Sequence, residues 1–267
     1  MKDIRLIASD MDHTLLTSSG EFPPGFHDLV ARLNEAGITF VAASGRALIR
    51  LRRMFPQGGP GIAYIGDNGG AMVHDGEVLF TSVMDAARYR EMVTRTLEAT
   101  RGVPIVCGVG RVYTLAEYRG YEDAFRVFFG EVEFVGSLTD LDVDVVKFTA
   151  YFPGGDALRH RDEVFDPAYS EEFSITLGGP QWLDIMNPGV TKGSTLLRLA
   201  DHLGLEPGQM MAFGDTFNDL EMLDAVRHSY AVANAHDVVR ERARFLTGSN
   251  DEYGVVQVID QVLAAKS

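Results

Sequence analysis

Ile4-Arg5-Leu6-Ile7-Ala8-Ser9, followed by Asp10-Met11-Asp12-His13-Thr14, is the stretch that decides the fold. Its first six residues are short and mostly apolar, as for a strand covered on both faces. The next five are too polar to continue such a strand. The pattern repeats: a helix is expected from about Gly25 to Ala36, with Phe26, Leu29, Val30 and Leu33 on one side and Gly37 as its stop. A second buried strand, Ile38 to Ala43, ends in Ser44-Gly45-Arg46. A basic helix runs to about Phe55, and a third strand, Ala63 to Gly66, ends in Asp67-Asn68-Gly69-Gly70. Strand and helix in alternation imply a parallel sheet with right-handed crossovers, an α/β fold. Ala71–Val73 and Glu77–Phe80 flank His74-Asp75-Gly76 as a hairpin.

From about residue 83 to 186 the rhythm changes. A helix over Asp85–Thr100 and another near Asp156–Phe165 stand among strands at Ile105–Val109, Val112–Leu115, Val132–Val135, Val143–Phe152, Ser174–Leu177 and Trp182–Met186. Clustered strands predict an α+β unit with an antiparallel sheet. The α/β rhythm returns after Asn187-Pro188-Gly189. It gives a helix at Thr191–Leu203, a strand Met210–Phe213 ending in Gly214-Asp215, a helix Asn218–Ala225, a strand Tyr230–Val232 and a last helix Tyr253–Ala265. The expected organisation is a core over 1–82 and 187–267, interrupted by an α+β insert over 83–186.

The chain has 267 residues with 24 Lys plus Arg against 38 Asp plus Glu, a formal charge of −14. Such an acidic chain lacks the positive footprint that nucleic acid or anionic lipid requires. One Cys, Cys107, excludes an intrachain disulfide and a cysteine zinc cage. No apolar run reaches the roughly 18 residues of a membrane span, and no secretory h-region precedes the first strand. A cytoplasmic enzyme or binding protein, of unspecified oligomeric state, is the expectation.

In open α/β sheets ligands gather beyond the carboxyl ends of the strands. The polar clusters stand there: Asp10 and Asp12 after the first strand, Ser44 after the second, Asn68 after the third, Asp215 after the first strand past the insert. Two carboxylates at about 4 Å repel by about 4 kcal/mol even at an effective dielectric near 20. A hard divalent cation relieves that, and Mg²⁺ takes one or two carboxylates with waters and phosphate oxygens. An Asp can attack phosphorus and split a hydrolysis into two steps, while a second carboxyl serves as acid and base. Lys192, opening a helix at Thr191-Lys192-Gly193, supplies fixed positive charge, and Thr14 and Ser44 supply hydroxyls.

In order along the chain, Asp10-Met11-Asp12-His13-Thr14, Ser44-Gly45-Arg46, Thr191-Lys192-Gly193 and Gly214-Asp215-Thr216-Phe217-Asn218-Asp219 resemble the four motifs of the haloacid dehalogenase-like phosphohydrolases. Asp67-Asn68-Gly69-Gly70-Ala71, the large insert and Ser249-Asn250-Asp251-Glu252-Tyr253-Gly254 make the chain similar to the Cof-type subfamily. The resemblance implies a doubly wound, Rossmann-like parallel-sheet core with an inserted α+β cap that selects the substrate. It implies a Mg²⁺-dependent phosphatase acting on small phosphorylated metabolites, such as sugar phosphates or phosphorylated cofactors, through an aspartyl-phosphate. Asp10 would be the nucleophile and a metal ligand. Asp12 would be the acid/base and would bind the metal through its backbone carbonyl. Ser44, Gly45, Arg46, Lys192 and Asn218 would surround the phosphoryl group. Asp215 would complete the metal site, with Asp219 ligating directly or through water. Two alternatives stand beside it: a sugar phosphomutase with the same nucleophile, and a phospho-accepting switch domain, against which the size of the insert argues.

Some residues invite plainer readings. His13 stands where many relatives have Gly, which speaks against a left-handed backbone there. Arg50, Arg52 and Arg53 read as a solvated helix face. Asp140, Asp142 and Asp144 lack the Gly and distal Glu of a calcium loop and read as a surface turn. Cys107 reads as a packed residue of the insert and Trp182 as core.

Overall fold

The computed structural model describes residues 1–55 and 61–266. Strands β1 (Leu6–Asp10), β2 (Thr39–Ala43), β3 (Ile62–Gly66), β4 (Ala71–His74) and β5 (Glu77–Thr81) come first, with helices α1 (Phe26–Glu35) and α2 (Leu48–Arg53) between them. The insert follows with α3 (Ala86–Ala99), β6 (Val103–Gly108), β7 (Val112–Leu115), α4 (Glu122–Phe129), β8 (Glu133–Val135) and β9 (Val145–Tyr151). A broken helical segment, α5 (Ala157–His160) and α6 (Asp166–Tyr169), leads to β10 (Ser174–Leu177) and β11 (Trp182–Met186). The chain then gives α7 (Lys192–Leu203), β12 (Met210–Gly214), α8 (Leu220–Asp224), β13 (His228–Ala231), α9 (Asp237–Arg242), β14 (Phe245–Leu246) and α10 (Gly254–Lys266).

Two sheets result. The larger runs β14-β13-β12-β1-β2-β3-β4-β5, parallel from β14 to β3 and antiparallel from β3 to β5. Its middle strands are buried along their whole length, which explains their near-continuous apolar sequence. Because β1 pairs with β2 on one side and β12 on the other, chain order reverses at β1, and a crevice opens beyond its carboxyl end. The smaller sheet runs β10-β11-β9-β6-β7-β8. Its pairs are antiparallel except β7 with β8, which run parallel; there the expectation of an antiparallel sheet fails, because α4 lies between the two strands and carries the chain back. Each sheet has its own apolar cluster, one around Phe26, Phe40 and Phe213, the other around Phe148, Phe165 and Tyr169. Where the chain crosses between the units, the Asn187 amide donates to Ser82 Oγ and to the Val83 carbonyl, both at 3.0 Å. The two crossings are thereby tied side by side.

Helix α4, helix α9 and strand β14 were absent from the sequence expectation. The first two are short, and α4 buries only Phe125 and Phe129, too few positions to set a period. The helix expected near Asp156–Phe165 is longer, reaching Tyr169, and irregular. Asp140, Asp142 and Asp144 lie exposed before β9, a surface turn as read.

Candidate active site

Strand β1 delivers Asp10 to the crevice with its side chain buried. The chain then turns sharply through Asp12 (φ −75°, ψ 126°) and His13 (φ 60°, ψ 5°). His13 is thus left-handed, contrary to the expectation from its Cβ. The turn is held from outside: the Asn234 amide donates to the His13 carbonyl at 2.7 Å, and the Asn250 amide to the Leu16 carbonyl at 3.0 Å. Thr14, carried round by the same turn, donates its hydroxyl to Asp215 Oδ1 at 2.9 Å.

Asp215 follows β12, and four residues later the chain returns under it. Asp219 is fully buried, its Oδ2 accepting from the backbone N–H of Asp215 at 3.0 Å and of Thr216 at 3.2 Å. This fold-back needs Gly214, because a Cβ there would lie 2.5 Å from that of Asp219. Thr191 caps α7, exchanging hydrogen bonds with Ser194, and so fixes the first turn that carries Lys192. The Lys192 ammonium donates to Asp10 Oδ1 at 2.6 Å and to Asp219 Oδ1 at 2.8 Å.

Carboxylate oxygens of Asp10, Asp215 and Asp219 all lie within 4.8 Å of one another. Burial pushes the Asp10 carboxyl well above the usual range; Lys192 opposes this, and the charges of Asp219 and Asp215 add to it. Burial raises Asp215 too, again with Asp219 contributing. Burial alone would lower Lys192, but the carboxylates of Asp10 and Asp219 hold its ammonium above the ordinary lysine value. Three carboxylates against one ammonium leave two negative charges. The donors are hard oxygens with no His or Cys among them, a set that suits Mg²⁺. Asp10, Asp215 and Asp219 are the residues that could hold it.

Asp12 is set apart from this cluster. Its carboxylate is gripped by Arg46, Nε to Oδ2 at 2.8 Å and a terminal nitrogen to Oδ1 at 2.6 Å, while the other terminal nitrogen of Arg46 donates to the Val127 carbonyl of α4 at 3.2 Å. Arg53 pairs with Glu131 at 3.0 Å, and a Cβ on Gly130 would meet Arg50 at 3.0 Å. These arginines therefore do not form one solvated face: Arg46, just before α2, and Arg50 and Arg53 on it turn toward the end of α4, and of the four only Arg52 and Arg53 are exposed.

Asp10, Asp12, Ser44, Gly45, Arg46, Lys192, Asp215 and Asn218 line one cavity of about 850 Å³ between the two sheets. Asp219 lies behind it, within the acid cluster. Ser44 is buried, its Oγ accepting from the Arg46 N–H at 3.1 Å. Asn218 is exposed and donates to Asn68 Oδ1 at 2.9 Å. The insert lines the other side with Phe128, Trp182, Lys147 and Asp184 among others. Trp182, read as core, does both: it is 8% exposed, packs on Tyr151 at 4.5 Å and Phe128 at 4.8 Å, and still borders the cavity. Lys147 and Asp184 were missed. The signal was a lysine inside an otherwise apolar strand, since lysine is almost never buried unless paired.

The fold and this cluster define a phosphohydrolase of the haloacid dehalogenase type. The haloacid dehalogenase-like hydrolase family matches residues 7–259, and the chain belongs to it. Within that family it is a Cof-type phosphatase. It is 30% identical to the 5-amino-6-(5-phospho-D-ribitylamino)uracil phosphatase YbjI of Escherichia coli (strain K12), over 97% of this chain and 96% of that one. It is 25% identical to the phosphatase YwtE of Bacillus subtilis (strain 168), which carries the same activity name, over 98% and 99%. Among solved structures it is similar to SMU.1108c from Streptococcus mutans UA159, with TM-score 0.86 and 29% identity over 98% of this chain and 99% of that one. A haloacid dehalogenase-like hydrolase from Bacteroides thetaiotaomicron has the same fold, with TM-score 0.85 and 22% identity over 97% and 99%. Among the described residues, no helix is long and apolar enough to cross a membrane.

Proposed function

We propose that the protein hydrolyses phosphomonoesters of small metabolites in two steps, with Asp10 as nucleophile and Asp12 as acid and base. The observation that carries this reading is the convergence of Asp10, Lys192, Ser44 and Asp12 on one cavity. An oxygen of Asp10 attacks phosphorus; the P–O bond to the leaving group breaks, and Asp12 gives the departing alkoxide its proton. Asp12, now a carboxylate, takes a proton from water, which attacks the aspartyl-phosphate and regenerates Asp10. Lys192, Ser44, the Gly45 backbone and Asn218 hold the phosphoryl oxygens. Arg46 joins them, turning from Asp12 when a phosphate dianion arrives. Asp10, Asp215, Asp219 and the Asp12 carbonyl would hold Mg²⁺, which would supply the charge neutralisation that lets a carboxylate approach a phosphate.

Residues 83–186 form the cap in this reading, and residues 1–82 with 187–267 the catalytic core. The wall formed by Phe128 and Trp182 suits a leaving group with a flat face. The similarity to YbjI and YwtE makes 5-amino-6-(5-phospho-D-ribitylamino)uracil the first substrate to try, ahead of sugar phosphates. The experiment is a Mg²⁺-supplemented screen of phosphorylated metabolites read by release of inorganic phosphate, with the Asp10→Asn variant as blank. Turnover by the wild type alone supports the assignment. Equal phosphate release by the variant, or an isomerised sugar phosphate without free phosphate, would replace it.

A further inference from the structure

Lys147 stands on β9, a strand whose seven residues are all buried. Its side chain is 2% exposed and lies at the junction of the two units. It donates to the Gly45 carbonyl at 3.1 Å and to Asp184 Oδ2 at 3.3 Å, and Asp67 Oδ1 stands 3.7 Å away. Asp184 is an insert residue on β11, held at its other oxygen by the Thr149 hydroxyl at 2.6 Å. Gly45 and Asp67 belong to the core. One side chain of the insert therefore reaches the loop that carries Ser44 and Arg46.

Asp67 gives this contact its leverage. It is fully buried, and its Oδ2 accepts from Leu48 N, the first amide of α2, at 3.0 Å. Its backbone N–H donates to the Arg46 carbonyl at 2.8 Å, and the N–H of Asn68 to the Ser44 carbonyl at 3.1 Å. Asp67 and Asn68 are both left-handed, at φ 51° and 53°, a conformation that L-residues adopt at a cost. Asp67 Oδ1 has no hydrogen-bond partner among the described residues; the Lys147 ammonium is the cation that faces it. Burial raises the Asp67 carboxyl and Lys147 counters this. Withdrawing the lysine would leave a buried carboxylate uncompensated, a strongly unfavourable state. The same withdrawal would release the Gly45 carbonyl.

We propose that Lys147 is a positioning residue: by bridging Gly45 and Asp67 in the core to Asp184 in the insert, it makes the seating of the insert and the shape of the Ser44–Arg46 loop a single event. The loop is then organised to take a phosphoryl group only when the insert is docked. Lys147 borders the cavity, but its hydrogen bonds are directed to Gly45 and Asp184, so it acts on the phosphoryl group through the loop. This rests on the reading of Ser44 as a phosphoryl ligand.

The test uses the full chain, with inorganic phosphate as the probe. In Lys147→Met, competitive inhibition by phosphate should weaken by about tenfold or more, the loss expected for one charge-assisted hydrogen bond. Amides of peptides 44–48 and 66–69 should exchange faster with deuterium, while those of β1 keep wild-type protection. Lys147→Arg, which keeps the charge, should recover part of the inhibition. Wild-type phosphate inhibition and loop protection in Lys147→Met would overturn the proposal, as would exchange that rises equally throughout the chain. Should Lys147→Met fail to fold, Asp67→Asn/Lys147→Met removes the orphaned charge, and the same two readouts decide. If that variant also fails, the wild type decides: adding Mg²⁺ and phosphate must protect peptides 44–48 and 145–149 together, and protection of the loop alone refutes the coupling. Exchange requires no turnover. A wild type that hydrolyses no phosphomonoester yet shows coupled exchange would refute the proposed activity and leave the positioning role standing.

Discussion

Replacing Lys192 by Met removes the ammonium that bridges the buried carboxylates of Asp10 and Asp219. Lys192 is 1% exposed and Asp219 fully buried, with the cation 2.6 Å from Asp10 and 2.8 Å from Asp219. At such separations each attraction is about 6 kcal/mol for an effective dielectric near 20. Most of it is spent on removing the ions from water, so the net cost of breaking a buried pair from one side is about 3–5 kcal/mol. Urea denaturation of Lys192→Met in the presence of chelator should show a loss of that size. Adding Asp219→Asn to Lys192→Met should return part of it, because the second change removes one of the stranded carboxylates; the coupling in the four-member cycle should exceed about 1 kcal/mol. Additive effects, or a Lys192→Met variant as stable as the wild type, would mean that the ammonium does not compensate these acids.

Three further outcomes follow from particular residues. His13 is left-handed, so His13→Val should be less stable than His13→Gly by about 1–2 kcal/mol, measured by thermal or urea unfolding, because Gly alone adopts that backbone freely. His160 stacks on Phe152 at 4.5 Å, and burial, with Arg159 beside it, holds its imidazole below the ordinary value. The unfolded chain then binds the proton more readily, so this contribution to stability is complete above about pH 6.5 and is lost as pH falls toward the lower folded value. Between about pH 7.5 and pH 5.5 the wild type should therefore lose more stability than His160→Phe. Chelation with EDTA should silence phosphate release and Mg²⁺ should restore it; activity that survives exhaustive chelation would remove the metal from the scheme.

How far the sequence reached follows from where the information sits. A strand covered on both faces writes itself as a continuous apolar run, and an acid at its end has no place in that run. Asp10, Ser44 and Asp215 could therefore be placed on strand ends before any coordinates, as could Lys192 on a capped helix. The family's four motifs then tied them together. Asp219 was harder, since a first-turn acid also suits a helix dipole; only the fold-back over Gly214 shows it buried beneath Asp215. Helix α4 was missed because two buried aromatics in eight residues do not make a period. The contact from Arg46 to its last turn was invisible for the same reason. His13 failed as a local rule applied alone: its strain is offset by hydrogen bonds from Asn234 and from the Asn250 turn, more than 200 residues away. Lys147, Asp67 and Asp184 form a tertiary ion cluster whose members share no spacing along the chain. Asp67 stood in a strand-end motif, but the sequence trace of the cluster itself was a lysine in the wrong place.

The most direct test of the central claim is to quench the wild-type enzyme in acid during turnover with Mg²⁺ and a hydrolysed phosphomonoester, then map the modified peptide by mass spectrometry. One added phosphoryl group on Asp10, absent in Asp10→Asn, is the expected result. A phosphoryl group on any other residue, or turnover with an unmodified Asp10 under conditions where the second step is rate-limiting, would contradict it.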